Sequence, residues 1–355
     1  MKKLLFFLIF IFLFIPIAKA SVQTASEYIL MDMDSGRILE GKDYNNPRLI
    51  ASITKIMTCI LAIESNKLDE SLVVDESILK AYGSGIYIKV GEELTLRDLL
   101  YGLMLRSGND AAMMISTYIA GSEEEFVYLM NSKAKEIGMK HTIFRNSCGL
   151  DENDAGNYST AYDMALLTKY AMKNDKYKKI VGTKKYSLKT NMNYYIWYNK
   201  NKLLDEKYIT GGKTGYTKRA GRTLVSTANI NNMNLVVVTL RDSDDWNTHK
   251  SLYEKASNYK SYKILDKNKL DINDSYYKDD LYIDNDFYMV LKENELDKVS
   301  TKVKLEKIDN YQDNQKIGEY QIYLDNNMVA SIDIKINKKE SKQNKRGFWE
   351  WIKFW

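Results

Sequence analysis

Residues 51–58 read ASITKIMT, and within them Ser52-Ile53-Thr54-Lys55 opens a segment with apolar residues at helical spacing. Those apolar residues, three and four positions apart, are Ile56, Cys59, Ile60 and Ile63. A serine and a lysine three residues apart share one face of a helix. The lysine can take the serine proton only if burial or a neighbouring cation lowers its pKa. Taken alone, the pattern is better explained by Ser52 as a helix cap and Lys55 as a solvated charge.

Two further short patterns contain side chains suited to a cleft. Residues 93–118 are predicted to be helical on both sides of Ser107-Gly108-Asn109, so a turn there would expose a hydroxyl and an amide. Lys213-Thr214-Gly215 precedes an apolar strand predicted over 224–228. The lysine and threonine could hold a carboxylate, and a glycine in a strand permits close approach of an extended ligand. A phosphate-binding loop is excluded because the earlier glycine of that motif is missing.

The three patterns become informative in combination, because they occur in this order at separations of 55 and 106 residues. The surrounding sequence resembles the serine-type D-Ala-D-Ala carboxypeptidases, the low-molecular-mass penicillin-binding proteins. The segments that carry the resemblance are ASITKIMT (51–58), LLYGLMLRSGNDAA (99–112), NYSTAYDMALL (157–167) and GGKTGYTKRAGRTLVSTA (211–228). It covers about residues 26–260 closely and the remainder in layout only.

The resemblance implies an α+β fold of the penicillin-binding-protein and β-lactamase type. Its transpeptidase domain has an antiparallel sheet and a helical subdomain, and a small C-terminal β domain follows. It implies removal of the terminal D-alanine from peptidoglycan stem peptides, acylation by β-lactams, and a role in cell-wall biogenesis. No cofactor is implied, and a metal site is not expected because the two histidines, His141 and His249, are far apart in the sequence.

The family also implies roles for individual residues. Ser52 would attack the carbonyl between two D-alanines, Lys55 would be the general base, and Ser107 would pass a proton to the departing D-alanine. The substrate-binding residues would be Asn109, which holds the peptide backbone, Lys213 and Thr214, which hold the terminal carboxylate, and Gly215 on the adjoining strand.

A few positions depart from the family pattern. The segment 146–150 reads NSCGL, and Asn157 stands where many members have histidine. The stretch after the last predicted core strand contains no arginine beyond Arg241, although some members place a carboxylate-binding arginine there. The resemblance leaves His249 and Arg241 as candidates for that task.

Three other functions remain open at this point. A class A β-lactamase would need a glutamate to activate the deacylating water, usually within E-x-x-L-N, and no such segment occurs between residues 109 and 213. A catalytically idle wall-binding scaffold would not need all three motifs intact. A transpeptidase would share every residue up to the acyl-enzyme, so the sequence does not distinguish it from a carboxypeptidase.

The N-terminal residues predict export. Lys2 and Lys3 precede an apolar run over 4–17, and Ala18-Lys19-Ala20 resembles a cleavage box. The run is shorter than the roughly 20 residues of a membrane span, which favours a cleaved signal peptide at 1–20 over an uncleaved helix. The predicted organisation continues with the carboxypeptidase domain at 21–262, a β-rich domain at 263–337 and a basic linker at 338–346. Cys59 is expected to be a buried thiol, and its pairing with Cys148 stays open.

The last nine residues, GFWEWIKFW (347–355), predict an amphipathic helix that anchors the protein to a membrane. A helix of nine residues is too short to cross a bilayer. Its apolar side would present Phe348, Trp349, Trp351, Ile352 and Trp355. The segment 335–346, with six basic residues and one acidic residue, would favour anionic lipid. Folding of the tail onto the body and a dimer contact are the alternatives. The positive charge is confined to this region, so no nucleic-acid partner is expected.

Overall fold

The computed structural model describes residues 24–151, 156–270, 272, 274, 276, 277 and 280–338. The α-helices in this part of the chain are α1 (Lys55–Glu64), α2 (Leu96–Tyr101), α3 (Asn109–Ala120), α4 (Glu123–Ile137), α5 (Ala161–Ala171), α6 (Asp175–Gly182) and α7 (Asp245–Lys255). The strands are β1 (Glu27–Asp32), β2 (Ile38–Lys42), β3 (Arg48–Leu49), β4 (Ser71–Val73), β5 (Glu93–Thr95), β6 (Tyr158–Ser159), β7 (Lys185–Lys189), β8 (Tyr194–Tyr198), β9 (Ile209–Thr217), β10 (Gly221–Ile230), β11 (Met233–Leu240), β12 (Lys260–Leu265), β13 (Asp280–Tyr282), β14 (Phe287–Leu291), β15 (Val299–Leu305), β16 (Lys316–Leu324) and β17 (Asn327–Asn337).

The central element is an antiparallel sheet with strand order β2-β1-β11-β10-β9. Strands β10 and β11 are joined by a tight turn at Asn231 and Asn232. Both asparagines have positive φ, 50° and 65°, as a two-residue hairpin of this kind requires. The sheet places β9, with its Lys213-Thr214-Gly215 segment, at an edge.

Side chains of β10 alternate between two hydrophobic clusters on opposite faces of the sheet. Val225 packs with Ile53 and Ile56 beneath the helical subdomain. Leu224 packs with Leu252 of α7 on the other face. The sheet is therefore buried on both sides, and the helical subdomain and α7 meet near the free edge of β9.

The C-terminal residues form a second β unit with the sheet order β13-β17-β16-β15 and the separate pair β12-β14. Its core is built by Ile317, Ile322, Ile334, Ile336 and Met289, with their neighbours. The Arg37 guanidinium ties the two units together, since it donates to Val290 O at 2.8 Å and pairs with Glu295 at 2.6 Å. Strand β12 spans residues 260–265, so the predicted domain boundary at 262/263 falls inside a strand.

The α+β fold class is confirmed, and most predicted elements are present. The helical structure predicted over 93–118 is wrong for its first three residues. Residues 93–95 form β5, which pairs with β4. Thr95 then caps α2 by accepting a hydrogen bond from the backbone of Asp98. The hairpin of β7 and β8 was not expected from the sequence.

Several predictions concern parts of the chain outside the described residues. These are the signal peptide at 1–20, all but the first residue of the basic linker, and the aromatic tail at 347–355. Among the helices that the structure describes, none combines the length and the hydropathy needed to span a membrane.

Candidate active site

Ser52 lies in a short 3-10 turn, Ala51–Thr54, that leads directly into α1 at Lys55. Lys55 Nζ is 3.2 Å from Ser52 Oγ, so the amine and the hydroxyl are within hydrogen-bond reach. Lys55 is 0% exposed at its position below the sheet edge. The burial excludes the reading of Lys55 as a solvated surface charge.

The Lys55 amine is held by two further acceptors from other parts of the chain. It donates to Asn109 Oδ1 at 2.7 Å and to the backbone oxygen of Cys148 at 2.5 Å. Burial lowers the pKa of Lys55 to about 8, and the positive charge of Lys200 acts in the same direction. Cys148 opposes this effect, but the lowered pKa still gives Lys55 a far larger neutral fraction near pH 7 than an ordinary lysine has. A neutral amine at this place can accept the Ser52 proton.

Ser107 and Asn109 come together where the helical subdomain changes direction. A wide helical turn over 102–106 ends at Ser107, which has φ +65°, and α3 begins at Asn109. A positive φ is unusual for serine and marks a backbone conformation fixed by its surroundings. Asn109 spans the site, since its Oδ1 accepts from Lys55 while its Nδ2 donates to Tyr82 O at 2.6 Å.

Strand β9 brings Lys213 and Gly215 against the helical side of the cleft. Lys213 Nζ donates to Ser107 Oγ at 3.1 Å and to Thr214 O at 2.7 Å. Burial, reinforced by the nearby Lys55, lowers the pKa of Lys213 well below its usual range. A Cβ atom at Gly215 would lie 2.9 Å from the Ser52 backbone nitrogen and 2.4 Å from Thr223 Oγ1. Gly215 is therefore needed so that the strand can approach the backbone of Ser52.

The motif residues open onto one cleft with a volume of about 290 Å³. Ser52, Ser107, Thr214 and Gly215 line it, together with Ser84, Lys200, Tyr216, Arg222, Asp245 and Trp246. The sequence assigned no role to this second group, because only Tyr216 and Arg222 lie in a segment that carries the resemblance and neither belongs to the three short motifs. The cleft thus combines a hydroxyl nucleophile, a buried amine, a second hydroxyl and cationic groups.

The structure excludes His249 as the carboxylate-binding substitute. The ring is 0% exposed, and its Nδ1 and Nε2 make hydrogen bonds with Ser226 Oγ and Thr239 Oγ1 at 2.6 and 3.1 Å. Burial lowers the pKa of His249 to about 3, so that the ring is neutral. The other candidate, Arg241, is exposed and is not among the residues that line the cleft.

The remaining departures from the family pattern organise the loop behind Lys55. Asn157 donates through Nδ2 to Thr54 Oγ1 and Asn146 O, each at 2.9 Å, and accepts from the backbone of Arg145 at 2.7 Å. This loop presents the Cys148 carbonyl to Lys55. Cys59 and Cys148 are both buried free thiols, so they do not pair.

A family model described as D-alanyl-D-alanine carboxypeptidase matches residues 16–244, and one described as the C-terminal domain of penicillin-binding protein 5 matches 252–342. The chain is 38% identical over 221 residues to D-alanyl-D-alanine carboxypeptidase DacF of Bacillus subtilis, which covers 60% of this chain and 56% of that protein. It is 34% identical over 256 residues to DacC of Escherichia coli, covering 66% of this chain and 63% of that protein.

These two alignments span less than two thirds of the length of either relative. A structural match extends further. The crystal structure of penicillin-binding protein 5 from Haemophilus influenzae superposes with a TM-score of 0.73 at 26% identity, covering 90% of this chain and 98% of that chain. The likeness therefore includes the C-terminal β unit.

Proposed function

Because the chain belongs to the D-alanyl-D-alanine carboxypeptidase family, we propose that it removes the terminal D-alanine from peptidoglycan stem pentapeptides through an acyl-enzyme on Ser52. Penicillin and other β-lactams acylate the same serine and remain attached. The observation that carries the proposal is the buried Lys55 amine, within 3.2 Å of Ser52 Oγ and 2.7 Å of Asn109 Oδ1.

Acylation begins with proton transfer from Ser52 Oγ to the neutral Lys55 amine. Oγ then forms a bond to the carbonyl carbon between the two D-alanines, and the carbonyl oxygen becomes an oxyanion. Backbone N–H groups of Ser52 and of the strand after Lys213 would stabilise this charge, an effect worth roughly 3 kcal/mol per donor. Gly215 supports it by letting the strand and the Ser52 backbone lie close together.

Breakage of the peptide bond requires a proton on the departing amine. Ser107 is suited to deliver it, because its Oγ accepts a hydrogen bond from Lys213 Nζ and lines the cleft beside Ser52. Asn109 holds the substrate backbone. The proton that Ser107 gives up is replaced by the one that Lys55 took from Ser52, which leaves the Lys55 amine neutral again. Water then attacks the ester carbon and gives a proton to Lys55, and Lys55 passes that proton to Ser52 Oγ as the ester bond breaks.

Release of D-alanine from a soluble pentapeptide tests the function. The purified wild-type protein is expected to release D-alanine and to carry a persistent fluorescent penicillin label, whereas Ser52→Ala does neither. Rapid turnover of penicillin without D-alanine release would instead identify a β-lactamase. If the wild-type protein releases no D-alanine and takes up no penicillin label, the proposed enzyme activity is contradicted. A wall-binding scaffold would then be the remaining function. Transfer to an added amine acceptor would reveal transpeptidation.

We also propose that the protein acts on the outer face of the cytoplasmic membrane, after removal of residues 1–20. Residues 263–337 serve as a stalk, and the basic segment 338–346 and the tail 347–355 bind the anionic membrane surface. The support is the sequence of the tail, since a helix over these nine residues would bring Trp349, Trp351 and Trp355 to one side together with Phe348 and Ile352.

Deletion of 347–355 tests the attachment. The shortened protein is expected in the soluble fraction of the producing cell, with unchanged activity on a soluble pentapeptide. Replacement of the three tail tryptophans by serine should have the same effect without shortening the chain. Continued pelleting of both variants with membranes would overturn the anchor.

A further inference from the structure

Recognition of a terminal carboxylate needs a cation with free donors in the cleft. The lysine of the Lys213-Thr214-Gly215 motif is poorly suited, because Lys213 is buried and its amine is already bonded to Ser107 Oγ and Thr214 O. His249 is buried elsewhere and Arg241 does not line the cleft. The arginine that does line it is Arg222, at the start of β10.

The sheet register places Arg222 beside Thr214. In the β9–β10 pair, Arg222 lies opposite Tyr216 and Leu224 lies opposite Thr214. Since side chains two residues apart on a strand share a face, Arg222 and Thr214 project from the same side of the sheet. That is the side covered by α7, whose first residues also line the cleft.

The Arg222 guanidinium is fixed in place, but not all of its hydrogen-bond donors have partners in the described part of the chain. Its Nη2 donates to Asp245 Oδ1 at 2.5 Å, and its Cζ lies 5.5 Å from the centre of the Trp246 ring. Asp245 is buried at the start of α7, which fixes the direction of the guanidinium. Within the described part of the chain, Arg222 Nε is buried without a hydrogen-bond partner and the ion pair uses Nη2 alone. The side chain is 41% exposed, so that it remains reachable from the cleft.

We propose that Arg222, oriented by Asp245 and Trp246, binds the terminal carboxylate of the substrate together with the Thr214 hydroxyl. The inference rests on the proposed function, since the carboxylate belongs to the departing D-amino acid. An arginine offers donors in a planar fork that fits a carboxylate, which a lysine cannot reproduce. Asp245 acts as the positioning residue for Arg222. Lys213 donates a hydrogen bond to Ser107 and does not bind the carboxylate.

The experiment compares two substrates that differ only in the carboxylate. A pentapeptide ending in D-alanine acid and the same peptide ending in D-alanine amide are hydrolysed by wild type and Arg222→Gln. Acylation by benzylpenicillin and by its methyl ester supplies the same comparison without turnover. Arg222→Gln is expected to lower kcat/KM for the acid about 10- to 100-fold and to leave the amide and ester rates within about twofold. Arg222→Lys should keep only part of the preference for the acid.

Arg241→Gln is the matched control, because it removes an exposed arginine near the same sheet edge. It should leave both substrates at their wild-type rates. Equal losses on acid and amide in Arg222→Gln would show a structural role and overturn the proposal, as would no loss on either. If the wild type hydrolyses neither peptide and takes up no penicillin, the proposed function fails rather than this assignment.

Discussion

Two polar clusters lie on opposite faces of β10, and they differ in what burial does to them. On the helical face, the buried amines of Lys55 and Lys213 bond to Ser52, Ser107 and Asn109, and the two serines line an open cleft. On the α7 face, His249 binds the hydroxyls of Ser226 and Thr239, and Tyr253 donates to Ser226 O at 2.8 Å.

The comparison separates a reactive site from a structural one within a single sheet. On the α7 face, burial holds His249 neutral and both of its ring nitrogens have partners, so that the cluster is closed. On the helical face, burial lowers the pKa values of two lysines that lie together without a buried carboxylate bonded to either amine in the described chain. Burial of a basic group next to a hydroxyl produces chemistry only where a substrate can enter.

The largest expected effect comes from replacing the base on the helical face. Lys55→Gln should slow acylation by penicillin about 10²- to 10⁴-fold, because the Ser52 proton then has no acceptor. Lys55→Arg should be similarly slow, since a guanidinium keeps its proton. Stopped-flow acylation rates measure the effect, and thermal unfolding checks that each variant is folded. An arginine variant with half the wild-type rate would show that position 55 supplies charge rather than a base.

A substitution on the α7 face should change stability and spare catalysis. His249→Leu removes two buried hydrogen bonds, and a loss of about 1–3 kcal/mol in the free energy of unfolding is expected at pH 7. Acylation should stay within about twofold of wild type. Chemical denaturation monitored by fluorescence and penicillin labelling test the two halves; a large loss of acylation in the folded variant would contradict the separation of the faces.

The same variant sharpens the comparison through pH. The pKa of His249 is lowered to about 3 in the folded protein, whereas an ordinary histidine has a pKa of 6.5. Between these two pH values, His249 binds a proton in the unfolded chain but not in the folded chain. The stability that His249 contributes is present above pH 6.5 and is lost as the pH falls towards 3. The stability difference between wild type and His249→Leu should therefore narrow between pH 7 and pH 4. A constant difference would mean that His249 is not buried in its neutral form.

The smallest expected effect is a shift in the pH dependence of acylation. The neutral form of Lys55 is the active one, so the acylation rate should rise with pH, with its midpoint at about pH 8, and level off at higher pH. Lys200→Gln removes a positive charge that lowers the pKa of Lys55, so the midpoint should move to higher pH. Lys200→Arg keeps the charge and should keep the midpoint. A shift to lower pH in Lys200→Gln would contradict the electrostatic role.

The two faces also show what the sequence could predict. Ser52, Ser107 and Lys213 could be identified from the sequence. Each is a hydroxyl or amine side chain in a short motif that lies at a helix start, a turn or a strand, and such local structure can be predicted from sequence patterns. Only the family resemblance predicted that these residues lie together in one site. The site depends on contacts between residues that are far apart in the sequence, such as Lys213 and Ser107. The α+β class followed from that resemblance.

What the sequence could not predict depends on side-chain direction in the folded chain. His249 and Arg222 are both basic residues close to the last core strands, and only strand alternation and packing make one a buried structural group and the other a cleft residue. The residues 93–95 were misassigned because their pairing with β4 outweighs a local helical pattern. Lys200 lines the cleft and follows the β7–β8 hairpin, which the sequence did not predict.

The most direct test of the account is to locate the acyl group formed by benzylpenicillin. Mass spectrometry of the intact wild-type protein should show one added penicillin per chain, and peptide mapping should place it on Ser52. The Ser52→Ala variant, folded by thermal unfolding, should show no addition. An adduct on another residue, or an equal adduct on Ser52→Ala, would contradict the claim that Ser52 beside the buried Lys55 is the nucleophile.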